Sequence, residues 1–422
     1  MVRLVRGTCI VLAAVVVTAA RASAQTAQTE AAAQSPPTLT LEAALERAEA
    51  QSPLLRRARV ERQSVVARDV GASILLPSNP VISGAVGPRR EVDRRGLDVM
   101  LHAEQTIEIG GQRSTRRDVV GRAVRTADLR VDVARAETRA RVRAAYVGAQ
   151  IARARFDAAS EREALVTKML DAVRARVAGG ASSNVDLELA RLERGSAARA
   201  RVDAALAATD GLAQLRVLVG LPPAKPVVLE AAGASPAARA GDLAALVTRA
   251  KAQRAELAAV MASGEEIDAD IVRLRREVIP SPTLFVDFQR DLPGQVFVGG
   301  GLALPIPVWR RQQGELALAR AERSRVDEER ALVERDVALE VERAFQAERA
   351  HREMVDLLAR DVLPAAEATI TLMTEGWRAG KFDLFRLIQT SRDASEAKRL
   401  YLETLGLLWD SAIGLDRAVG AP

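Results

Sequence analysis

Few residues in this chain are equipped for chemistry. Its 422 residues hold two histidines, His102 and His351, and one cysteine, Cys9. The histidines are about 250 residues apart and share no motif. One falls on the polar side of an expected strand and the other on a charged helical stretch, so each reads as a lone surface histidine. No GxSxG, HExxH, P-loop lysine or GxGxxG after a strand is present. Gly299-Gly300-Gly301 lies inside an expected strand and reads as a kink or tight packing, not a phosphate cradle. With no thiolate or soft-ligand cluster, the sequence offers no catalytic residue, no cofactor and no tight metal site. An enzyme is not expected.

Charge and composition narrow the classes further. Arg3 and Arg6 precede the apolar run Ile10–Ala20, and Ala22-Ser23-Ala24 fits a small-residue cleavage site. That is a secretory signal over residues 1–24, too short for a membrane span. The mature chain is expected to start near Gln25. Losing Arg3, Arg6 and Arg21 leaves 58 basic and 55 acidic residues, a net +3, with no thiol. Acids and bases alternate closely and aromatics make up only 3%. This is the pattern of solvated helix faces, not of a nucleic-acid surface. After residue 24 no run of 18 apolar residues occurs, so any membrane contact falls to strands.

The sequence repeats itself at a spacing of about 200 residues. Ala48–Gln51 returns as Ala250–Gln253, Leu76-Pro77-Ser78 as Ile279-Pro280-Ser281, and Val142–Tyr146 as Val341–Phe345. Ala178-Gly179-Gly180 returns as Arg378-Ala379-Gly380, and Leu212–Leu221 is echoed by Leu407–Leu415. Five matches in one order indicate a duplicated unit. The expected divisions are a first repeat over residues 25–220, a Pro- and Ala-rich linker over 221–241, a second repeat over 242–415 and a tail over 416–422.

Each repeat reads helix, two strands, very long helix, turn, helix. From Val120 to Val177 a stripe of mostly Ala and Val recurs every three or four residues, broken only by Thr138 and Glu163. A helix from Gln112 to Ala178 follows, about 100 Å long. The second repeat matches it over Gln312–Gly376, with a kink expected at Pro364. On the helices alone, a coiled-coil rod and a helical tube are both open. The strands are expected at about 81–87, 97–109, 283–289 and 295–306. From Leu97 to Ile109 odd positions are almost all apolar and even ones almost all polar, over a length that a tilted membrane strand requires. Pro88–Gly96 and Arg290–Gly294 read as exposed hairpin loops. A half-buried sheet in a soluble domain also alternates, but the flanking helices leave this one little to cover. Four strands cannot close a membrane barrel, so that reading requires an oligomer.

The junctions Glu108-Ile109-Gly110-Gly111-Gln112-Arg113 and Leu304–Glu315, with Leu363-Pro364-Ala365-Ala366-Glu367 and Gly220-Leu221-Pro222, make the chain resemble the TolC-like outer membrane efflux proteins over nearly all of its mature length. Within them it is most similar to the outer-membrane components of cobalt–zinc–cadmium resistance pumps. The resemblance implies a mainly α homotrimer, with an α-helical tunnel reaching into the periplasm and a 12-stranded membrane β-barrel, four strands per chain. It implies a place in the outer membrane of a Gram-negative bacterium, in contact with outer-membrane lipid. The implied partners are a periplasmic membrane-fusion adaptor and an inner-membrane RND pump, and the implied role is export of divalent heavy-metal cations. Drug efflux or type I secretion is the alternative, and a periplasmic coiled-coil scaffold a third. Some members carry a lipid on an N-terminal cysteine, which this chain is not expected to do. Phe285, Phe288, Phe297 and Trp309 would form a partial aromatic girdle in the second repeat.

The turns Gly179–Ser183 and Ala379–Asp383 fall at the periplasmic tips. Ser183 with Asp186, and Asp383, have the spacing of helix caps. The resemblance places a gate just past these turns. Asp186 falls on the family's gating aspartate, Arg386 on a position often held by an acid, Gln389 on the next pore-facing acid, and Phe382 on the arginine that usually pairs with the aspartate. The expectation is a gate of Asp186, Asp383, Arg386 and Gln389 in which Asp186 and Arg386 replace the usual latch. Gly180, Ser183, Gly380 and Lys381 are the expected adaptor contacts.

Overall fold

A computed structural model describes residues 38–421 apart from 92, 224–226, 232–234, 240 and 292–293. The expected signal peptide and the start of the mature chain lie outside the described residues. The first half runs β1 (Thr38–Leu39), α1 (Leu41–Gln51), α2 (Pro53–Ala72), β2 (Val81–Glu91), β3 (Arg94–Thr106), α3 (Gln112–Ala178) and α4 (Asn184–Val219). The second runs β4 (Val228–Leu229), α5 (Leu243–Gln253), α6 (Ala255–Glu277), β5 (Thr283–Asp291), β6 (Gln295–Ala303), α7 (Gln313–Leu357), a π-helical turn (Leu358–Val362), α8 (Leu363–Arg378) and α9 (Leu384–Val419). The same plan is laid down twice.

Helix α3 has the bounds its stripe predicts and 67 residues. Val131, Ala134, Val142, Val166, Leu170 and Val173 of the stripe are buried. Its two polar members are contacts between helices. Thr138 Oγ1 lies 3.3 Å from Ser52 Oγ at the α1–α2 junction. Glu163 accepts a hydrogen bond from Arg201 Nε of α4 at 2.5 Å. In the second half the α-helix is interrupted next to Pro364, where the chain passes through a π-turn. Proline lacks an N–H and its ring clashes with the carbonyl four residues back, and one extra residue in the turn relieves both.

Two cores of equivalent composition hold the middle of the molecule. Leu45, Ala48, Val142, Tyr146, Leu215 and Val219 pack together in the first half. About 200 residues on, Leu246, Ala250, Val337, Val341, Leu415 and Val419 form the second, with Phe345 against it. Helix α9 continues to Val419 because its last turn closes this core. The short strands β1 and β4 pair in parallel, and Tyr146 Oη donates to Leu39 O at 2.8 Å, fastening β1 to α3.

Strands β2, β3, β5 and β6 form one antiparallel sheet in that order, with β3 against β5 joining the two halves. The sheet departs from expectation at both ends. Residues 88–91 and 94–96 pair instead of looping out, with Pro88 opposite Leu97 and Arg89 opposite Gly96. The expected hairpin loops were drawn from charge and proline, yet β2 is an edge strand, where proline is tolerated and charged side chains reach solvent. At the other end β3 stops at Thr106 and β6 at Ala303, ahead of Gly110-Gly111 and of Pro305 and Pro307.

Leu215 is fully buried at the centre of the first core. Leu215→Ala should lower the stability of the solubilised protein by about 2–5 kcal/mol, read as a lower urea midpoint with an unchanged slope.

Candidate functional site

The far end of the helical body consists of two matching hairpin tips. Helix α3 ends in a Schellman turn: Ala181 N donates to Arg176 O at 2.8 Å and Gly180 N to Val177 O at 3.0 Å, with Gly180 at φ +72. Helix α8 ends the same way, Lys381 N to Gly376 O at 2.8 Å and Gly380 N to Trp377 O at 3.0 Å, with Gly380 at φ +73. A left-handed residue is needed at each turn, and glycine adopts it without a Cβ clash. Lys381 and Ser183 are exposed at the surface of these tips.

Ser183 and Asp186 form a capping box on α4. Asp186 N donates to Ser183 Oγ at 3.1 Å and Ser183 N to Asp186 Oδ2 at 2.9 Å. The Ser183 backbone N–H holds the Asp186 carboxyl below its usual range. Asp383 caps α9 by accepting from Arg386 N at 2.8 Å. The Arg386 side chain is exposed, and within one chain no ion pair joins it to Asp186. Gln389 Nε2 donates to Asp393 at 3.0 Å. Phe382 lies over Gly376, where a Cβ has no room, so the ring packs on its own hairpin.

Below the tips the two hairpins are fastened by charges that the sequence reading missed. Arg176 Nη2 donates to Trp377 O at 3.2 Å and to Arg378 O at 3.1 Å, and its guanidinium stacks on the Trp377 ring at 4.6 Å. A cation thus meets the carbonyl end of α8 and an aromatic face together. Glu193 of α4 is fully buried. It accepts from Arg162 of α3 at 2.6 Å and from Arg392 Nε of α9 at 2.7 Å. This carboxylate ties three helices of both repeats about 14 Å above the tip of α4. The signal was in the spacing: Ala190, Glu193 and Ala197 recur on one helix face and all are buried, which places an acid on a core stripe.

Strand pairing fixes the faces of the sheet. Leu101 stands opposite Gly84 and Phe288, and Ala103 opposite Ile82 and Val286, on an apolar face. His102 stands opposite Ser83 and Asp287 on the other face. There Arg89 Nε reaches Asp98 at 2.9 Å. His102 is not a lone surface histidine: Nδ1 lies 2.8 Å from Asp287 and Nε2 3.4 Å from Glu104. His351 Nδ1 lies 3.2 Å from Ser411 Oγ on α9. Among the described residues no His, Cys, Asp or Glu group could hold a metal ion. The aromatic girdle is also corrected. Phe285 and Phe297 lie on the polar face over Gly301 and Gly299, where no Cβ fits. Of the three strand phenylalanines only Phe288 is on the apolar face. Alternation set the faces correctly on β3, but the glycine run on β6 draws the rings to the polar side. The apolar face is bare in the single chain, with Ile82 78% and Val298 67% exposed. Among the described residues no helix is long and apolar enough to cross a membrane.

Crystal structures of CusC superimpose with a TM-score of 0.74 at 15% identity, covering 90% of this chain and 92% of that one. The fold is that of the TolC-like outer-membrane channels. The outer-membrane channel OprN gives a TM-score of 0.74 at 15% identity, covering 90% of each chain. The Vibrio cholerae outer membrane protein VceC gives 0.70 at 14%, covering 90% of this chain and 96% of its own. In sequence, the cobalt-zinc-cadmium resistance protein CzcC of Cupriavidus metallidurans is 27% identical over 383 residues, 90% of each chain. No protein-family model matches the chain. Within this chain, the four-stranded sheet and the two tips lie at opposite ends of the helical body.

Two outcomes follow from the tips. Glu193→Ala leaves the Arg162 guanidinium, only 19% exposed, without its acid. It should destabilise the protein by about 3 kcal/mol, with Glu193→Gln losing less, both read by chemical denaturation. Because the folded-state pKa of Asp186 is depressed, its capping contribution is fully present above the ordinary value of 3.8 and is lost as pH falls through the lower folded value. Amide exchange at residues 184–187 should therefore speed up in acid relative to the rest of α4, and Asp186→Asn should abolish that extra pH dependence.

Proposed function

We propose that three copies of this chain form an outer-membrane efflux channel that extends into the periplasm and releases divalent heavy-metal cations from a tripartite pump. The observation that carries this reading is the sheet: one face apolar and bare, two unpaired edges at β2 and β6, and no helical span beside it. On the apolar face of β3, Leu97, Val99, Leu101 and Ala103 lie between Arg95 and Gln105. The ten residue steps from Arg95 to Gln105 make about 34 Å of strand, or about 25 Å of height at the usual tilt, the thickness of a barrel's apolar band. Three copies, with β2 of one against β6 of the next, supply 12 strands and leave no edge. The polar face then lines the lumen, and no bound metal is required for cations to pass through. The likeness to CzcC supports heavy-metal cargo and an RND-type pump with a periplasmic membrane-fusion adaptor.

At the other end, three pairs of tips surround the periplasmic mouth. Among the described residues neither Asp186 nor Arg386 has an ion-pair partner, which leaves them available to each other across neighbouring chains as the latch. Asp383 and Gln389 complete the ring. Gly180, Ser183, Gly380 and Lys381, at the exposed turns, are the adaptor contacts.

Purified from the outer-membrane fraction, the protein should run as a detergent-dependent trimer and conduct in planar bilayers. Arg386→Ala removes a side chain with no capping role and should raise the closed-state conductance severalfold. An unchanged conductance removes Arg386 from the gate, and a soluble monomer ends the channel reading. Co-expressed with its pump and adaptor, the wild type should raise tolerance to Zn²⁺, Co²⁺ or Cd²⁺. Protection against drugs alone would assign a different cargo.

A further inference from the structure

The hairpin end of the sheet carries charges that the channel reading does not use. Arg90 of β2 stands directly opposite Arg95 of β3. Both belong to the register that also holds Val86 opposite Val99 and Pro88 opposite Leu97, so they share the apolar, outward face. Both side chains are exposed. Like charges directly opposite on a ladder repel, and an acid between them is the usual remedy. Among the described residues no acid pairs with either one. At the same end but on the polar face, Arg89 is neutralised by Asp98 at 2.9 Å and Asp291 at 3.8 Å. Among the described residues, acids are thus supplied to the arginine facing inward and none to the two facing outward. Arg290, opposite Val99 and Val296, adds a third exposed cation to the outward face where the second hairpin ends.

This end lies away from the helical body, because both junctions to the long helices leave from the opposite end of the sheet. We infer that Arg90 and Arg95, aided by Arg290, bind the phosphate groups of a phosphorylated lipid in the outer leaflet. The inference rests on the barrel reading, which sets the outward face in lipid. Below the arginines the face is apolar, with Leu97, Val99 and Leu101 exposed or half-buried, so acyl chains lie along the strands while a phosphate accepts from both guanidiniums. A shared dianionic phosphate turns the Arg90–Arg95 repulsion into a clamp, and three-fold symmetry repeats it around the barrel. A free anion in water would gain the charges but not the apolar wall beneath them, which is why the site selects lipid.

The test uses the full-length trimer in phosphatidylcholine nanodiscs carrying increasing amounts of diphosphoryl lipid A, with retained lipid A measured after washing. The wild type should retain it and an Arg90→Gln/Arg95→Gln double variant should hold it about tenfold more weakly. Arg89→Gln, at the same height on the other face, should retain it as the wild type does. Bilayer conductance of the double variant should match the wild type. Equal retention by wild type and double variant, with conductance intact, overturns the lipid site and leaves the channel standing. Displacement of the lipid by millimolar inorganic phosphate also overturns it, in favour of a free-anion site. A wild type that neither inserts nor conducts removes the barrel and this inference together.

Discussion

The backbone hydrogen bonds at the two edges of one small sheet constrain everything else in this structure. In hydrocarbon each unpaired N–H or C=O is expensive, and lipid offers no partner. Strand β2 has β3 on one side only and β6 has β5 on one side only. A four-stranded sheet cannot curl far enough to pair its own edges. The bare apolar face and the bare edges thus make the same demand, one that further copies of the chain would meet. The helices follow from this. Both strand pairs feed long helices at the same end of the sheet, so in the proposed channel a closed ring of strands would continue into a ring of helices.

Duplication supplies the parts, and its departures show where the copies do different work. The two middle cores match residue for residue, Val142 with Val341 and Leu215 with Leu415. The tips match in backbone, each ending in a left-handed glycine. Their charges do not match. Glu193 gathers an arginine from each side of the duplication, while the second repeat contributes Arg392 to that cluster and builds none of its own there. A fully buried carboxylate with two guanidiniums fixes the relative height of the hairpins, and nearer the tips Arg176 fastens α3 to the last turn of α8.

Much of this was legible before any coordinates. Alternation on β3 and the 3.6-residue stripe on α3 are long patterns, and long patterns survive local exceptions. The stripe's two exceptions, Thr138 and Glu163, proved to be contacts with α2's first turn and α4. What was not legible depends on pairing across distance. Most of the expected loop Pro88–Gly96 is strand, because an edge strand tolerates Pro88 and the charges beside it. The outer girdle expected of the second hairpin's phenylalanines rests on ring type without register; Phe285 stands opposite Gly301 on the polar face, the tip of its ring filling the space a Cβ would take. His102 has its partner 185 residues away on β5. The interruption expected at Pro364 takes the form of a π-turn just before it, which the sequence alone does not specify. No local pattern carries these facts.

Closure of the sheet by neighbouring copies is most directly tested by cysteine cross-linking along the β2–β6 seam. The sequence has only Cys9, within the expected signal, so paired cysteines can be placed on β2 and β6 of an otherwise thiol-free mature chain. After oxidation in outer membranes, the closed-ring account predicts a covalent trimer that survives denaturing electrophoresis, with each single-cysteine variant remaining a monomer. Cross-links confined within one chain, or none at any register of the two strands, would contradict it.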